Sequence, residues 1–215
     1  MRHFAPLLVL LACGIAGAEP AAVPSKDGIA RLERMLADAR TVEARFEQVL
    51  LDGELAVKKE TRGRFALARP GKFRWDYAAP NEQTIVSDGS RLWIYDHELA
   101  QVTVKPLDGA LASSPAALLG GQGKLADNFK LTDVGVDGVL HWVELEPKVD
   151  DAEFEKVRLG LGIKFIEVME LTDAFGQLTR ITLKDAKLNG ALAKTTFEFV
   201  PPPGVDVVGD TGDAR

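Results

Sequence analysis

Side chains able to do chemistry are sparse in this chain of 215 residues. Beyond His3, its histidines are His97 and His141, far apart in sequence and on different predicted elements. Metal ligation needs histidine, cysteine or carboxylate at short regular spacing, and no such spacing occurs, so no metal is expected. His141 shares its parity with Val139 and Val143 and reads as a satisfied or rim histidine. Ser25, Ser87, Ser90, Ser113 and Ser114 are the serines, and none sits in a Gly-x-Ser-x-Gly elbow. Gly120-Gly121-Gln122-Gly123-Lys124 has the flavour of a phosphate-binding loop, but Leu125 follows the lysine and Leu118 stands where the earlier glycine belongs. It reads as a loop after a helix. Asp150-Asp151 offers two carboxylates for acid–base work, yet adjacent acids in a polar turn are normally solvated. The expectation is therefore no catalytic residue, no cofactor and no enzyme.

Apolar alternation is what stands out instead. Phe65/Leu67, Phe73/Trp75/Tyr77, Val143/Leu145, Val157/Leu159/Leu161, Ile181/Leu183 and Phe197/Phe199 each place large side chains on one face of a strand. Strands this numerous offer one broad apolar face, and a large antiparallel sheet curls toward a barrel. Only two helical segments are available to cover it. An apolar face in excess of its cover predicts a cavity for a greasy ligand.

The elements that must position this face follow from periodicity. Ile29, Leu32, Leu36 and Ala39 recur at helical spacing after Ser25 or Asp27 as N-cap, predicting a helix over 27–40. The period then changes to two, with Val42, Ala44, Phe46, Gln48 and Leu50 opposite Glu43, Arg45 and Glu47. Pro70-Gly71 joins the Phe65 and Phe73 strands, and Asp88-Gly89 joins 83–87 to 92–95. A strand at 101–105 follows, and then Ser114, Pro115 and Gly120-Gly121 bracket a helix of one or two turns. Further strands are expected at about 128–134, 139–146, 155–161, 164–172, 178–185 and 195–200, ended by Pro201-Pro202-Pro203-Gly204, with a loose tail from about 207. The fold class predicted is mainly β (α+β). A single curved antiparallel sheet of about 10–12 strands would form an unclosed barrel, with the N-terminal helix and the short internal helix as lid.

Compartment is read from the first residues. Arg2 and His3 precede an apolar run from Phe4 to Ile15 and then Ala16-Gly17-Ala18, the pattern of a secretory signal peptide over 1–18. The run is shorter than the ~20 residues that a membrane-spanning helix needs. One mature domain over 19–215 is expected, beginning at Glu19. Cleavage would remove one basic and no acidic residue, taking the net charge from −6 to −7, and would also remove Cys13, the one cysteine. Leu10-Leu11-Ala12-Cys13 loosely resembles a lipid-modification site, which gives an alternative in which Cys13 carries an anchor. With acidic charge in excess and no basic run, neither nucleic acid nor a polybasic membrane contact is expected.

The stretch from Gly63-Arg64-Phe65-Ala66-Leu67-Ala68-Arg69-Pro70-Gly71-Lys72-Phe73-Arg74-Trp75 through Pro80, Gln83 and Val86-Ser87-Asp88-Gly89 to Leu92-Trp93-Ile94-Tyr95 resembles the periplasmic outer-membrane lipoprotein carriers, the LolA family. Phe46-x-Gln48 in the first strand and Phe197-x-Phe199-x-Pro201-Pro202-x-Gly204-Val205 near the end extend the resemblance over about 27–206. The segment between Pro147 and Glu167 has no residue-by-residue match. The resemblance implies an unclosed barrel whose helices lid an apolar cavity. It implies a periplasmic carrier that takes the acyl chains of lipoproteins from the inner-membrane LolCDE transporter and hands them to the acceptor LolB; a monomer is expected. Cavity-lining residues would be Phe65, Leu67, Phe73, Trp75, Leu118, Leu119, Val143, Leu145 and Ile181, and Arg69 would gate the lid. The alternative function is a protein of the same fold that binds or senses another lipid, and a third reading is a hydrolase with an unrecognised site. Arg69 itself shares the parity of Phe65 and Leu67 at a strand end, where a guanidinium can reach several loop carbonyls.

Overall fold

Charged and apolar residues alternate along 42–47 because one side of this strand is buried and the other faces water. The computed structural model describes residues 27–107, 115–120, 124–149 and 152–209. Helix α1 (Asp27–Asp38) leads into β1 (Thr41–Leu51), β2 (Val57–Ala68), β3 (Lys72–Tyr77), β4 (Gln83–Asp88), β5 (Arg91–Asp96) and β6 (Gln101–Pro106), each strand antiparallel to the last. Short helices α2 (Pro115–Gly120) and α3 (Leu125–Asn128) precede β7 (Phe129–Asp137), β8 (Leu140–Pro147), β9 (Lys156–Leu161), β10 (Ile166–Thr172) and β11 (Leu178–Leu188). These form a second antiparallel meander. A last strand, β12 (Asp206–Gly209), pairs in parallel with β6.

The twelve strands make one sheet in the order β12-β6-β5-β4-β3-β2-β1-β11-β10-β9-β8-β7, curved and not closed. The pairing of β1 with β11 joins the two meanders. Inward side chains from both meanders meet in one buried cluster with Leu32 of α1 and Leu118 and Leu119 of α2. The mainly β, unclosed architecture expected from the sequence is therefore the one observed. The helix expected over 27–40 ends at Asp38, where Asn189 accepts from the Arg40 amide at 2.9 Å and donates to the Asp38 carbonyl at 3.0 Å. Helix α3 was not expected. Its chain direction is set locally by Asp127, whose carboxylate accepts from the Lys124 amide at 3.3 Å.

One expected strand is absent where it was placed. Residues Lys194–Phe197 form a 3-10 turn, and the chain then crosses the outer face of β3 to β6 before pairing at Asp206–Gly209. Phe197 and Phe199 do alternate, but the segment runs over a sheet face with no strand edge beside it, and Pro201 to Pro203 lack the amides that a ladder needs. Phe199 packs against Trp93 and Tyr95 at 5.8 and 6.0 Å between ring centroids. This pair therefore belongs to the outer face, where Val86, Val102 and Val104 are also buried. The loose tail expected from about 207 is corrected at its start, where Asp206–Gly209 form β12 on the edge of β6. The expected signal peptide, Cys13, Ser25, Ser113, Ser114, Asp150-Asp151 and residues after Gly209 lie outside the described residues.

Candidate functional site

The hairpin of β2 and β3 sets the inner wall. Its register places Phe65 opposite Trp75 and Leu67 opposite Phe73, so the four side chains share one face. Phe46 of β1 joins them, with its ring 4.6 Å from Trp75 and 5.0 Å, edge-on, from Tyr77. Gly63 makes that stack feasible: a Cβ there would fall 2.7 Å from the Phe46 ring and 1.9 Å from the Asp76 carbonyl. Val143 and Leu145 of β8 and Ile181 of β11 come from the other meander. All nine residues expected to line a cavity are inward and at most 3% exposed. The structure brings them into a single cluster, with Arg74 half-buried on the opposite face of β3. Phe46, Tyr77 and Leu32 belong to the same interior; none was among the residues expected to line a cavity, although all three lay on the apolar sides already legible in the sequence.

Two lids close this interior. Helix α2 inserts Leu118 and Leu119, and Gly120 packs so closely that a Cβ would meet Phe73 at 2.9 Å and Leu67 at 3.3 Å. Its last carbonyls are held by the β2–β3 turn: the Arg69 guanidinium donates to the Leu119 carbonyl, and the Gly71 amide to that of Gly120 at 3.0 Å. Arg69 is also fixed through its amide to the Arg40 carbonyl at 2.8 Å. Burial lowers the Arg69 pKa from its usual value, and a guanidinium remains charged at neutral pH regardless. Arg69 thus sits where the sequence reading placed it.

Helix α1 is tied to the other meander. Asp133, buried in β7, accepts from the Gly28 amide at 2.7 Å and from the Gly135 amide at 2.9 Å, and pairs with His141 Nε2 at 2.6 Å. Burial alone would raise the Asp133 pKa, but the bonds from His141, Gly28 and Gly135 outweigh it and hold the carboxyl below its usual range. Arg31 adds a bond to the Gly162 carbonyl at 2.5 Å. His141 is the satisfied rim histidine expected. No signal in the sequence singled out Asp133, because a buried acid on a strand shows neither periodicity nor motif.

Chemistry other than binding finds little support. Thr84, His97 and Glu82 superficially resemble a nucleophile, base and orienting acid, with Thr84 Oγ1 3.2 Å from His97 Nε2 and His97 Nδ1 3.7 Å from Glu82. The Thr84 hydroxyl, however, donates its one proton to Asp76 at 3.0 Å, and Thr84 is 6% exposed. Buried in this way, the hydroxyl is closed to an incoming substrate. Among the described residues no group of three or more histidine, cysteine, aspartate or glutamate side chains could hold a metal. A groove of about 650 Å³ lies on the outer face beside the 3-10 turn, but Glu43, Arg45, Arg64, Arg74, Asp76, Asp185 and Lys187 make it too charged for an apolar ligand.

An unclosed antiparallel sheet with a continuous apolar interior under two helical lids defines a binding protein for apolar chains. The chain belongs to the LolA family: the family described as outer membrane lipoprotein carrier protein LolA matches residues 37–200. It is 46% identical over 184 residues to the outer-membrane lipoprotein carrier protein of Nitrosospira multiformis, covering 85% of this chain and 89% of that one. It is 41% identical over 203 residues to the protein of the same name in Chromobacterium violaceum, covering 94% and 98%. Two crystal structures share the fold. A LolA-superfamily protein from Nitrosomonas europaea aligns with a TM-score of 0.50 at 12% identity, over 83% of this chain and 99% of that one. An uncharacterized conserved protein from Thermus thermophilus aligns at 0.55 and 14%, over 85% and 97%.

Proposed function

We propose that this protein is a periplasmic carrier that takes the acyl chains of lipoproteins into the interior between its two meanders, shields them from water and delivers them to the outer membrane. The observation that carries this reading is the inner face itself: nine large apolar residues of both meanders and α2 in one cluster, stoppered by a helix held largely at its carbonyl end. Phe65, Leu67, Phe73, Trp75, Leu118, Leu119, Val143, Leu145 and Ile181 would contact the chains, and Arg69 would gate α2. The donor would be an inner-membrane transporter of the LolCDE type and the acceptor a LolB-type protein. The working form would be the monomer from Glu19 onward, without lipid on Cys13.

Magnitudes explain why such a protein needs both partners. Burying one long acyl chain contributes on the order of 10 kcal/mol relative to water, at ~0.8 kcal/mol per methylene. Relative to a bilayer the gain is near zero, so the interior cannot drive extraction. The chain carries no nucleotide-binding motif, so the energy comes from the donor. Delivery needs an acceptor of comparable affinity or a coupled opening of the lid.

Native mass spectrometry of protein purified from the envelope tests both parts at once. The expected species begins at Glu19 and carries lipoprotein. Diacylglyceryl-Cys13 at the N-terminus would exclude a free carrier, and a bound lipid without polypeptide would favour a carrier or sensor of another lipid.

A further inference from the structure

The inner face changes character at one end. Beyond Trp75 its side chains are Tyr77 on β3, Gln48 on β1, Thr61 and Lys59 on β2, Gln83 on β4 and Asp96 on β5. The register sets Gln48 opposite Thr61, and Tyr77, Gln83 and Asp96 in one cross-strand row. They border a pocket of about 260 Å³ that opens past Asn81, Glu82 and Glu98. The Tyr77 hydroxyl donates to Gln48 Oε1 at 3.0 Å, leaving the Gln48 amide with two donors. Among the described residues two polar atoms on this face are buried without a partner at ordinary hydrogen-bond distance: Thr61 Oγ1, and Trp75 Nε1, in a residue 1% exposed, whose one polar interaction is a looser one with the Tyr77 hydroxyl. Buried polar groups are almost always paired, and unpaired ones are costly enough to call for an explanation.

An apolar interior that ends in buried donors beside a polar pocket matches an amphiphile. We propose that Trp75 Nε1 and Thr61 Oγ1, backed by Tyr77 and Gln48, donate to the ester or amide carbonyls that link acyl chains to their headgroup. The tails then occupy the aromatic and aliphatic interior, and the hydrophilic remainder leaves through the polar pocket. The ligand is thereby recognised as an acyl compound rather than as a hydrocarbon. This rests on the carrier reading and adds the linkage chemistry to it.

The test compares two probes of equal chain length, a triacylated cysteinyl peptide and its alkyl counterpart, in which ethers and an alkylamine replace the esters and the amide. Each is titrated into the wild-type protein, Trp75→Phe and Thr61→Val. The wild type should bind the acyl probe about fivefold tighter per hydrogen bond made. In Trp75→Phe the preference should fall toward one, and in Thr61→Val it should fall part of the way, whatever the absolute affinities. Thermal unfolding confirms that both variants are folded, and Thr61→Val, which removes the unpaired hydroxyl, keeps the test open if Trp75→Phe is not. Equal binding of both probes by the wild type, or an undiminished preference in both variants, overturns the inference while leaving the carrier intact. Binding of neither probe overturns the carrier reading and this inference with it.

Discussion

Arg69 holds its lid through a main-chain carbonyl, so it recognises the position of Leu119 rather than its side chain. Charge-assisted bonds of this kind contribute ~1.5–3 kcal/mol to the closed arrangement. Replacing Arg69 by Leu removes them and adds apolar surface inside, so both changes favour the loaded form, by a factor on the order of 10–100. The expected outcome is normal lipoprotein uptake with impaired delivery in a transfer assay using acceptor-bearing membranes. Arg69→Lys should fall between, because an ammonium keeps the charge and loses the fork. Unchanged delivery by the Leu variant would place the gate elsewhere. Asp133 works at the other lid, and Gly28 is what lets α1 come so close, since a Cβ there would lie 2.5 Å from His141 Nε2. Because the folded-state pKa of Asp133 is depressed, its contribution is complete above the unfolded value of about 3.9 and is lost as pH falls through the lower folded value. Asp133→Asn should cost about 1–3 kcal/mol at pH 7, and its deficit should shrink in acid. Urea unfolding of both proteins between pH 7 and pH 2 measures this, and a deficit that stays constant throughout would mean that the charge is irrelevant.

Each lid rests on one close approach, and the segment from Lys194 to Pro203 is a strap over the outer face. Gly120→Ala puts a methyl 2.9 Å from the Phe73 ring, and in a packed interior such overpacking costs about 1–3 kcal/mol. In the carrier reading α2 lifts as a unit, so the loss should appear as faster hydrogen exchange confined to 115–120 and the β2–β3 turn; exchange rising over the whole sheet instead would show that α2 is not an independent unit. The segment after β11 acts on the opposite face. Phe197→Ala should destabilise by about 3–5 kcal/mol, the range for a buried phenylalanine. Denaturant unfolding monitors this variant, and a loss below 1 kcal/mol would mean that the strap is dispensable. How legible these elements were depended on their period. Strands with one dry and one wet face, such as that of Val42, Ala44 and Phe46, announce themselves, and so do the Pro70-Gly71 and Asp88-Gly89 turns. The strap could not be read because Phe197 and Phe199 show the spacing of a strand while packing on a face that is itself apolar, with Val86, Val102 and Val104 beneath. Arg69 was legible from parity at a strand end. Asp133 was not, because the two partners that tie it to the rim and to α1, His141 and Gly28, lie 8 and 105 residues away in sequence.

At the scale of the molecule, the sheet is two meanders that meet along one seam, β1 with β11. Every other antiparallel pairing joins strands that are neighbours in sequence, whereas the seam sets Val42 against Leu188. A ligand site built across the seam has walls from both halves, so Phe65 and Trp75 on one side and Val143 and Leu145 on the other share an interior that neither meander has alone. The same arrangement governs how the chain acquires its structure. Hairpins of β1 to β6 need only contacts between neighbouring segments, but one edge of β1 is paired only by residues 178–188. Closing a loop of that length slows folding, and an open edge carrying Val42, Phe46 and Val49 is a template for pairing with another chain. A half-sheet of β1 to β6 alone would leave bare the edge on which the second half docks, so refolding at rising protein concentration should lose yield to association through β1.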